Sequence, residues 1–278
     1  MRPAVRPLPV VVAVGLLAIT LAVADGGERE PSGRDRPADG RAGRPARPPE
    51  PVPGIGDMRR AEAFAAARGA AVSFAVVDSR GHLRGFRANL PFRSASVSKA
   101  LLLAAYLDRA GEAPLDAATR ARLRAMITYS DNDAADAIYA LVGDPGLEAV
   151  AARVGMRGFV GAGYWSEASI TARDMASFMW RLEHGALATR HRGFAMRLLG
   201  SVVPDQRWGI PAAAGEDWGV WFKGGWRPSP GGALVHQAAL LRGGSRRVAI
   251  AVLTEAQPSH AYGTETVRGI AARLLAGA

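Results

Sequence analysis

The sequence predicts an α/β protein of the α+β type, with one antiparallel five-stranded sheet, terminal helices packed on it and an inserted all-helical lobe. Two strand-like segments lie early in the globular region, at residues 72–78 and 83–88. Three more lie in the last third, and a long stretch of helical character separates the two groups. When both ends of a chain supply strands to one sheet, the middle forms a lobe of its own.

The first elements are indicated by residue alternation and by breaker residues. Residues 57–68 are predicted to form a helix that ends at Gly69, and residues 79–82 to form the turn between the first two strands. Residues 94–109 are also predicted to be helical. Positions 100–107 are apolar on nearly every side, so we expect this helix to be buried all round.

Glycines divide the remaining elements. A long helical region follows, with stops predicted at Gly111, Gly143 and Gly146. The chain then returns to strands and closes with a helix at residues 264–276. The three late strands, separated by glycine-rich turns, are predicted at residues 219–226, 233–241 and 246–254.

The N-terminal part differs from the rest in composition. Residues 1–24 combine arginines with an apolar run that ends in small residues, which indicates a signal peptide or an uncleaved N-terminal anchor. Residues 25–56 are rich in Pro, Gly and Arg, so we expect a disordered linker. We expect residues 57–278 to form a secreted or extracytoplasmic domain. Its sheet lobe is predicted at residues 57–95 and 214–278, and its helical lobe at residues 96–213.

Composition excludes several chemistries. The 278 residues contain no cysteine, which excludes thiol catalysis, disulfides and thiolate metal sites. The formal net charge is +10, but the basic residues form no compact cluster, so nucleic acid is not an expected partner. Of the 35 basic residues, only Lys99 and Lys223 are lysines. Because a lysine amine can lose its proton and an arginine guanidinium cannot, both lysines are candidates for chemistry.

Ser96 and Lys99 form the first candidate catalytic pair. Residues three apart share one face of a helix, so the Ser96 hydroxyl and the Lys99 amine are expected to touch. A serine becomes a good nucleophile when a neighbouring base takes its proton. Burial against the apolar helix would lower the pKa of Lys99 and make it such a base. The alternative is a serine near a helix cap beside a surface lysine.

Two further motifs lie downstream. Ser130 and Asn132 flank Asp131, and a hydroxyl and a carboxamide on one short loop can relay a proton and hold a substrate amide. The alternative is a simple turn or helix cap. Lys223 precedes two glycines on a predicted strand, where missing side chains would let a substrate lie along the backbone. The alternative there is a glycine bulge beside a lysine.

In their order, the three motifs resemble the class A β-lactamase and D-alanyl-D-alanine peptidase superfamily, the penicillin-recognising serine hydrolases. The resemblance extends from residue 57 to the C-terminus, and residues 170–176 are similar to the helix start that follows the Ω-loop of the family. It implies a β-lactamase/transpeptidase-like fold. It also implies a serine hydrolase that acts on β-lactams or related amides and esters, without a metal or another cofactor.

The resemblance assigns catalytic roles to the motif residues. Ser96 would be acylated, and Lys99 would accept its proton directly or through water. Ser130 would pass a proton to the leaving nitrogen, and Lys223 would support both that proton and the substrate carboxylate. Asp131 would brace the loop.

The resemblance also implies a set of substrate contacts. Asn132 would hold the substrate amide, and the substrate would lie along Gly224, Gly225 and Trp226. The backbone N–H groups of Ser96 and Trp226 would form the oxyanion hole.

The chain departs from the family pattern at two places. Gly224 stands where the family has Thr or Ser, so one hydroxyl contact to a substrate carboxylate is missing. The glutamate pattern of the Ω-loop is absent, and Glu167 is the sole carboxylate within residues 155–169. Glu167 is predicted to be an acid at the N-terminus of the helix that starts near Thr171, in preference to a base for water. Without such a base, the acyl-enzyme is expected to persist.

Other functions stay open on the sequence. The chain is compatible with a D-alanyl-D-alanine carboxypeptidase-type penicillin-binding protein and with a non-catalytic cell-envelope binding domain. Expected partners are a small-molecule β-lactam or a peptidoglycan-derived peptide, with membrane contact only through an uncleaved N-terminal segment. We expect a monomer. The histidines suggest neither a catalytic triad nor a metal site.

Overall fold

The computed structural model of the protein describes residues 52–69 and 71–277. These residues fall within one compact unit, Pro48–Ala278. The predicted signal or anchor, and the predicted linker apart from its last five residues, lie outside the described residues. No helix in the described part of the chain is both long enough and apolar enough to cross a membrane.

Helices and strands follow the predicted order. The α-helices are α1 (Ile55–Ala67), α2 (Lys99–Ala110), α3 (Ala117–Arg124), α4 (Asn132–Val154), α5 (Ala172–Trp180), α6 (Arg192–Gly200), α7 (Ile210–Ala214) and α8 (His260–Leu274). The strands are β1 (Val72–Val77), β2 (Leu83–Phe86), β3 (Pro91–Arg93), β4 (Ser169–Thr171), β5 (Gly219–Ser229), β6 (Gly232–Gly243) and β7 (Arg246–Gln257). Short 3₁₀ turns cover Ala95–Ser98, Thr189–His191 and Pro204–Gln206, and a π turn covers Ala125–Tyr129.

The predicted five-stranded antiparallel sheet is confirmed. Its strand order is β2-β1-β7-β6-β5, and every neighbouring pair is antiparallel. Strand β5 lies at the edge, where Lys223 faces Ala238 and Gly225 faces His236 of β6. An edge strand has one row of backbone groups that the sheet does not pair.

Alternation along the strands creates two cores, one on each face of the sheet. Ala75 and Val77 of β1 pack with α2, α4 and α5. Phe74 and Val76 point the other way and pack with α1 and α8. Because successive side chains of a strand face opposite sides, β1 is buried along its whole length. The prediction that both terminal helices cover one face is therefore confirmed.

The helix predicted at residues 94–109 is divided in the structure. Ala95–Ser98 is a 3₁₀ turn, and the α-helix starts only at Lys99. Ala95 has a left-handed φ of 45°, and its N–H donates to the carbonyl of Ser166 at 2.9 Å. This long-range bond holds the chain out of helical geometry before α2. Of the positions predicted to be buried, residues 100–105 and Leu107 are buried, whereas Tyr106 is half-buried.

Two short strands and the start of the first helix differ from the prediction. Strands β3 and β4 pair with each other, with Phe92 opposite Ile170. They were not predicted because three residues are too few to show alternation. Helix α1 begins at Ile55 instead of residue 57, and Val52 is only 5% exposed, so the end of the predicted linker joins the core.

The predicted stops in the helical lobe are only partly confirmed. Gly111 is the C-cap of α2. Gly143, with a φ of 57°, introduces a kink in α4, and Gly146 lies inside the same helix. Pro145 follows the kink, where a proline in the first turn of a restarted helix loses no internal hydrogen bond. The helix can therefore resume at once.

Candidate active site

Lys99, the first residue of α2, is fully buried and bound by the loop that precedes α4. Its Nζ donates to the carbonyl oxygen of Ser130 at 2.5 Å and to Oδ1 of Asn132 at 2.7 Å. A longer hydrogen bond of 3.3 Å reaches the Ser130 hydroxyl. These partners compensate the cost of removing a polar amine from water.

The loop that carries Ser130 is shaped by the elements on either side. The π turn Ala125–Tyr129 ends at Ser130, which adopts a left-handed φ of 61°. Asp131 then caps α4, and its carboxylate accepts a hydrogen bond from the N–H of Ala134 at 2.7 Å. This cap fixes the direction in which α4 leaves the loop. Asp131 thereby braces the loop that presents Ser130 and Asn132.

Strand β5 brings the second lysine to the same hydroxyl group. Lys223 is fully buried, and its Nζ donates to Oγ of Ser130 at 3.0 Å and to the carbonyl oxygen of Gly224 at 2.8 Å. The Ser130 hydroxyl therefore lies between the amines of Lys99 and Lys223. A hydroxyl that both donates and accepts can pass a proton along such a chain.

Ser96 meets β5 through its backbone. A Cβ built on Gly225 would lie 2.8 Å from the backbone nitrogen of Val97 and 2.9 Å from that of Ser96. Glycine at position 225 is what permits this close approach.

The predicted contact between the Ser96 hydroxyl and the Lys99 amine is not a hydrogen bond in this structure. The Ser96 side chain is half-buried and makes no hydrogen bond to any residue that the structure describes. The Lys99 amine turns instead to the carbonyl of Ser130 and the carboxamide of Asn132, which are strong acceptors. The structure thus links four of the five predicted polar side chains directly and places the backbone of the fifth beside β5.

Burial sets the protonation of both lysines. Removal from water lowers the pKa of Lys99 to about 8, although the carboxylates of Asp131 and Asp136 partly oppose the shift. Burial lowers the pKa of Lys223 well below its usual value, and the nearby charge of Lys99 adds to this effect. Amines with depressed pKa values can exchange protons near neutral pH.

Three residues around Lys99 were not predicted from the sequence. The buried ring of Trp165 lies 4.7 Å from Nζ of Lys99. Asp136 holds this ring by accepting from its Nε1 at 2.7 Å, and it also accepts from the Tyr164 hydroxyl at 2.7 Å. These hydrogen bonds lower the pKa of Asp136. One sequence signal was available, because Asp136 follows Asn132 by four positions and so shares its face of α4.

Glu167 has a different role from the predicted one. Its carboxylate is bound by the guanidinium of Arg227 on β5, and Nη1 of Arg93 lies 3.5 Å from its Oε2. The hydrogen bonds and charge of Arg227 lower the pKa of Glu167. The helix after this loop is capped by Thr171 and carries Asp174 in its first turn. The prediction of a helix N-terminal acid was therefore wrong, because Glu167 pairs with arginines instead.

Gly224 and Trp226 lie on the opposite face of β5 from Lys223. A Cβ on Gly224 would lie 3.5 Å from the ring of Trp208 and 3.6 Å from that of Trp226, which is ordinary van der Waals contact. The space around position 224 would therefore accommodate an alanine, so packing does not require a glycine there. Trp208 was not predicted as part of the site, because it approaches β5 only through the tertiary fold.

His236 is a buried structural residue on β6. Its Nδ1 accepts from the N–H of Thr254 at 3.0 Å, so the proton resides on Nε2, which donates to the carbonyl of Arg93 at 3.0 Å. Burial lowers the pKa of His236 to about 4. Within residues 52–69 and 71–277, no group of three or more His, Asp or Glu side chains could hold a metal ion.

The depressed pKa of His236 predicts an acid-sensitive fold. Above pH 6.5, His236 is neutral in both the folded and the unfolded state, so its contribution to the free energy of unfolding is complete. As the pH falls from about 6.5 to about 4, the unfolded chain binds a proton first, and the free energy of unfolding should decrease by about 3 kcal/mol. Urea unfolding at several pH values measures how steeply the free energy of unfolding depends on pH. His236→Asn should make this pH dependence shallower, and an equally steep dependence in the variant would contradict the role assigned to His236.

One protein family matches a large part of this chain. A protein-family model described as the beta-lactamase enzyme family matches residues 119–277, more than half of the chain. The matched region begins after Ser96 and Lys99, so it does not depend on the first motif. No curated protein sequence matches this chain significantly.

Several solved structures share the fold. A β-lactamase from Sphaerobacter thermophilus DSM 20745 is 22% identical with a TM-score of 0.67, over 79% of this chain and 95% of that chain. A β-lactamase from Xanthomonas campestris pv. campestris is 20% identical with a TM-score of 0.68, over 79% and 96%. The class A β-lactamase from Mycobacterium abscessus is 18% identical with a TM-score of 0.66, over 79% and 98%. The family match shows that the chain belongs to the beta-lactamase enzyme family and is a β-lactamase-like hydrolase, and the fold that it shares with these structures agrees with this assignment.

Proposed function

We propose that the protein hydrolyses a β-lactam or a related amide or ester through an acyl-enzyme on Ser96. The observation that carries the proposal is the Ser130 hydroxyl, held between the amines of Lys99 and Lys223. The backbone of Ser96 lies beside this group because Gly225 allows β5 to approach it. A nucleophile, a base and a proton relay are therefore available in one small region.

In the proposed reaction, each residue has one defined role in each step. Neutral Lys99 takes the proton of Ser96 while Oγ bonds to the carbonyl carbon of the substrate. The backbone N–H groups of Ser96 and Trp226 stabilise the oxyanion of the tetrahedral intermediate. When the bond to the leaving atom breaks, Ser130 supplies a proton to that atom and recovers one from Lys223 or Lys99. The acyl group remains on Ser96.

Hydrolysis of the acyl-enzyme is proposed to be slow. The Glu167 carboxylate is paired with Arg227, so it is not free to activate water. In addition, the ring of Trp165 covers the Lys99 amine and so limits the access of water to it. Both observations favour a long-lived acyl-enzyme, as in the second candidate function, a D-alanyl-D-alanine carboxypeptidase-type penicillin-binding protein. Asn132 is proposed to hold the substrate amide in either case.

Intact-mass spectrometry tests this function. The protein is incubated with an uncharged fluorophosphonate probe, a small aryl ester and benzylpenicillin, and the adduct is followed over time. We expect a covalent adduct that persists and that Ser96→Ala abolishes. Ser98→Ala is the matched control, because the Ser98 hydroxyl is buried and donates to the carbonyl of Ala95 at 2.8 Å. Absence of any adduct, or an adduct that survives in Ser96→Ala, would contradict the proposal.

A further inference from the structure

A groove rich in arginine lies between α3 and α6 of the helical lobe. It consists of two cavities of about 470 and 420 Å³, which adjoin because they share three lining residues. We call it the basic groove. Its charged and aromatic lining residues are Arg120, Phe194 and Arg197, which line both cavities, Arg124 in the first cavity, and Arg190 and His191 in the second.

Positive charges face the basic groove from two helices. Arg120 and Arg124 are four positions apart on α3, so they share one face of that helix, and Arg197 lines the groove from α6. Like charges at this spacing destabilise a helix. No Asp or Glu in the described part of the chain lines either cavity. The protein itself therefore supplies no negative charge inside the groove to offset this repulsion.

The arginines of the basic groove are free to bind a ligand. The side chains of Arg124 and Arg197 are exposed and make no hydrogen bond or ion pair with any residue that the structure describes. Arg120 uses only its Nε, which donates to a backbone carbonyl at 3.0 Å. Arg190 lies 4.0 Å from the carboxylate of Glu112, and both side chains are exposed. Because exposed pairs of this kind are weak, an anion could compete for Arg190.

One buried group in the basic groove lacks a partner. His191 is only 6% exposed and lines the second cavity, and its Nε2 has no hydrogen-bond partner among residues 52–69 and 71–277. A buried polar atom without a hydrogen bond costs free energy. An oxygen atom of a ligand in the second cavity would supply the missing bond. This observation does not depend on the arginine charges, and it also points to a ligand.

The number of cations favours phosphoryl groups over carboxylates. An arginine fork can bind either group through two parallel hydrogen bonds. A phosphoryl group, however, carries a charge of about −1.5 to −2 and three acceptor oxygens, whereas a carboxylate carries one charge and two oxygens. The four arginines of the basic groove are therefore neutralised by about two phosphoryl groups. The two adjoining cavities provide one place for each of them.

We propose that the basic groove binds a ligand that carries two linked phosphoryl groups, such as pyrophosphate or a diphosphate ester. Arg124 and Arg197 would bind one phosphoryl group in the first cavity. Arg190 and His191 would bind the other in the second cavity, and Arg120 would contact both. No residue of the candidate active site lines either cavity. The inference therefore goes beyond the proposed function and does not depend on it.

Isothermal titration calorimetry of the full chain with inorganic pyrophosphate tests the ligand class. Orthophosphate and citrate are the comparison ligands, because orthophosphate has one phosphoryl group and the three carboxylates of citrate give a total charge similar to that of pyrophosphate. All titrations are made at pH 7 and equal ionic strength, so that screening is the same. We expect pyrophosphate to bind at least about tenfold more tightly than either, since its two groups are linked. Absence of pyrophosphate binding, or equally tight binding of citrate, would overturn the inference.

Arginine substitutions locate the binding site. Arg124→Gln and Arg197→Gln should each weaken pyrophosphate binding by about tenfold or more, because each removes charge-assisted hydrogen bonds. Arg122→Gln is the matched control. It removes the same charge from an exposed residue of α3 that lies two positions from Arg124 and lines neither cavity. If Arg122→Gln weakens binding as much as Arg124→Gln, pyrophosphate responds to net charge and the basic groove is not its site.

Ser96→Ala distinguishes this inference from the proposed function. The variant should bind pyrophosphate with the wild-type affinity, because Ser96 lies outside the basic groove. Loss of pyrophosphate binding in Ser96→Ala would place the ligand in the candidate active site and overturn the inference. If pyrophosphate binds as expected but the fluorophosphonate probe does not label Ser96, the basic groove is supported and only the proposed function is contradicted.

Discussion

Replacing Lys99 with arginine is expected to slow the acylation of Ser96 by about 1000-fold, which is the typical contribution of a general base. The neutral form of the Lys99 amine can accept the serine proton, whereas a guanidinium stays protonated at any pH compatible with folding. Arginine keeps the positive charge that contacts Ser130 and Asn132. A loss of rate in this variant therefore reports on proton transfer more than on charge.

The pH profile of the wild type gives an independent measure of the same base. With a pKa of about 8, most Lys99 amines are protonated at pH 7. Acylation should accelerate by about tenfold per unit as the pH rises towards 8, and it should level off above that value. Burst kinetics with an aryl ester measure this step separately from deacylation. A flat profile between pH 6 and pH 9 would exclude Lys99 as the base.

Gly225→Ala is expected to produce the second large effect. The added Cβ would meet the backbone nitrogens of Ser96 and Val97 at less than 3.0 Å, so β5 and the Ser96 turn must separate. A shift of this kind displaces the nucleophile from the oxyanion donors and should slow acylation by about 100-fold. It should also lower the free energy of unfolding by about 1–3 kcal/mol, as overpacking does. Burst kinetics and urea unfolding measure the two effects.

Gly224→Ala is the matched control for this substitution. The nearest atoms to its Cβ would belong to the side chains of Trp208 and Trp226, at 3.5 Å or more. We expect the free energy of unfolding to stay within about 0.5 kcal/mol of the wild-type value. If Gly225→Ala behaves like Gly224→Ala in both assays, the close approach of β5 to Ser96 is not needed for acylation.

The sheet and the helical lobe each contribute half of the candidate site. Lys99, Ser130 and Asn132 come from the helical lobe, and Lys223 and Gly225 come from the edge strand β5. The hydrogen bond between Lys223 and Ser130 joins residues that are 93 positions apart in the chain. Loss of packing between the sheet and the helical lobe would therefore break this hydrogen bond and with it the proposed proton relay.

The sequence by itself determined the outline of the fold and identified the candidate reactive groups. The scarcity of lysine singled out Lys99 and Lys223, and both lie at the Ser130 hydroxyl. Alternation and glycine positions predicted the five main strands, and apolar content predicted a buried α2. These signals are local, because strand and helix periods repeat within a few residues and can be recognised without knowledge of the rest of the chain.

Only the tertiary structure decided how the candidate groups are paired. Glu167 binds Arg227, sixty positions away, and Ala95 leaves helical geometry because it bonds to Ser166. The rings of Trp208 and His260 likewise reach Trp226 of β5 from two other segments of the chain. No local pattern encodes such contacts, since they depend on which surfaces meet when the sheet and the helical lobe pack together. The sequence therefore supplied the reactive groups, and packing determined their partners and the surface that surrounds them.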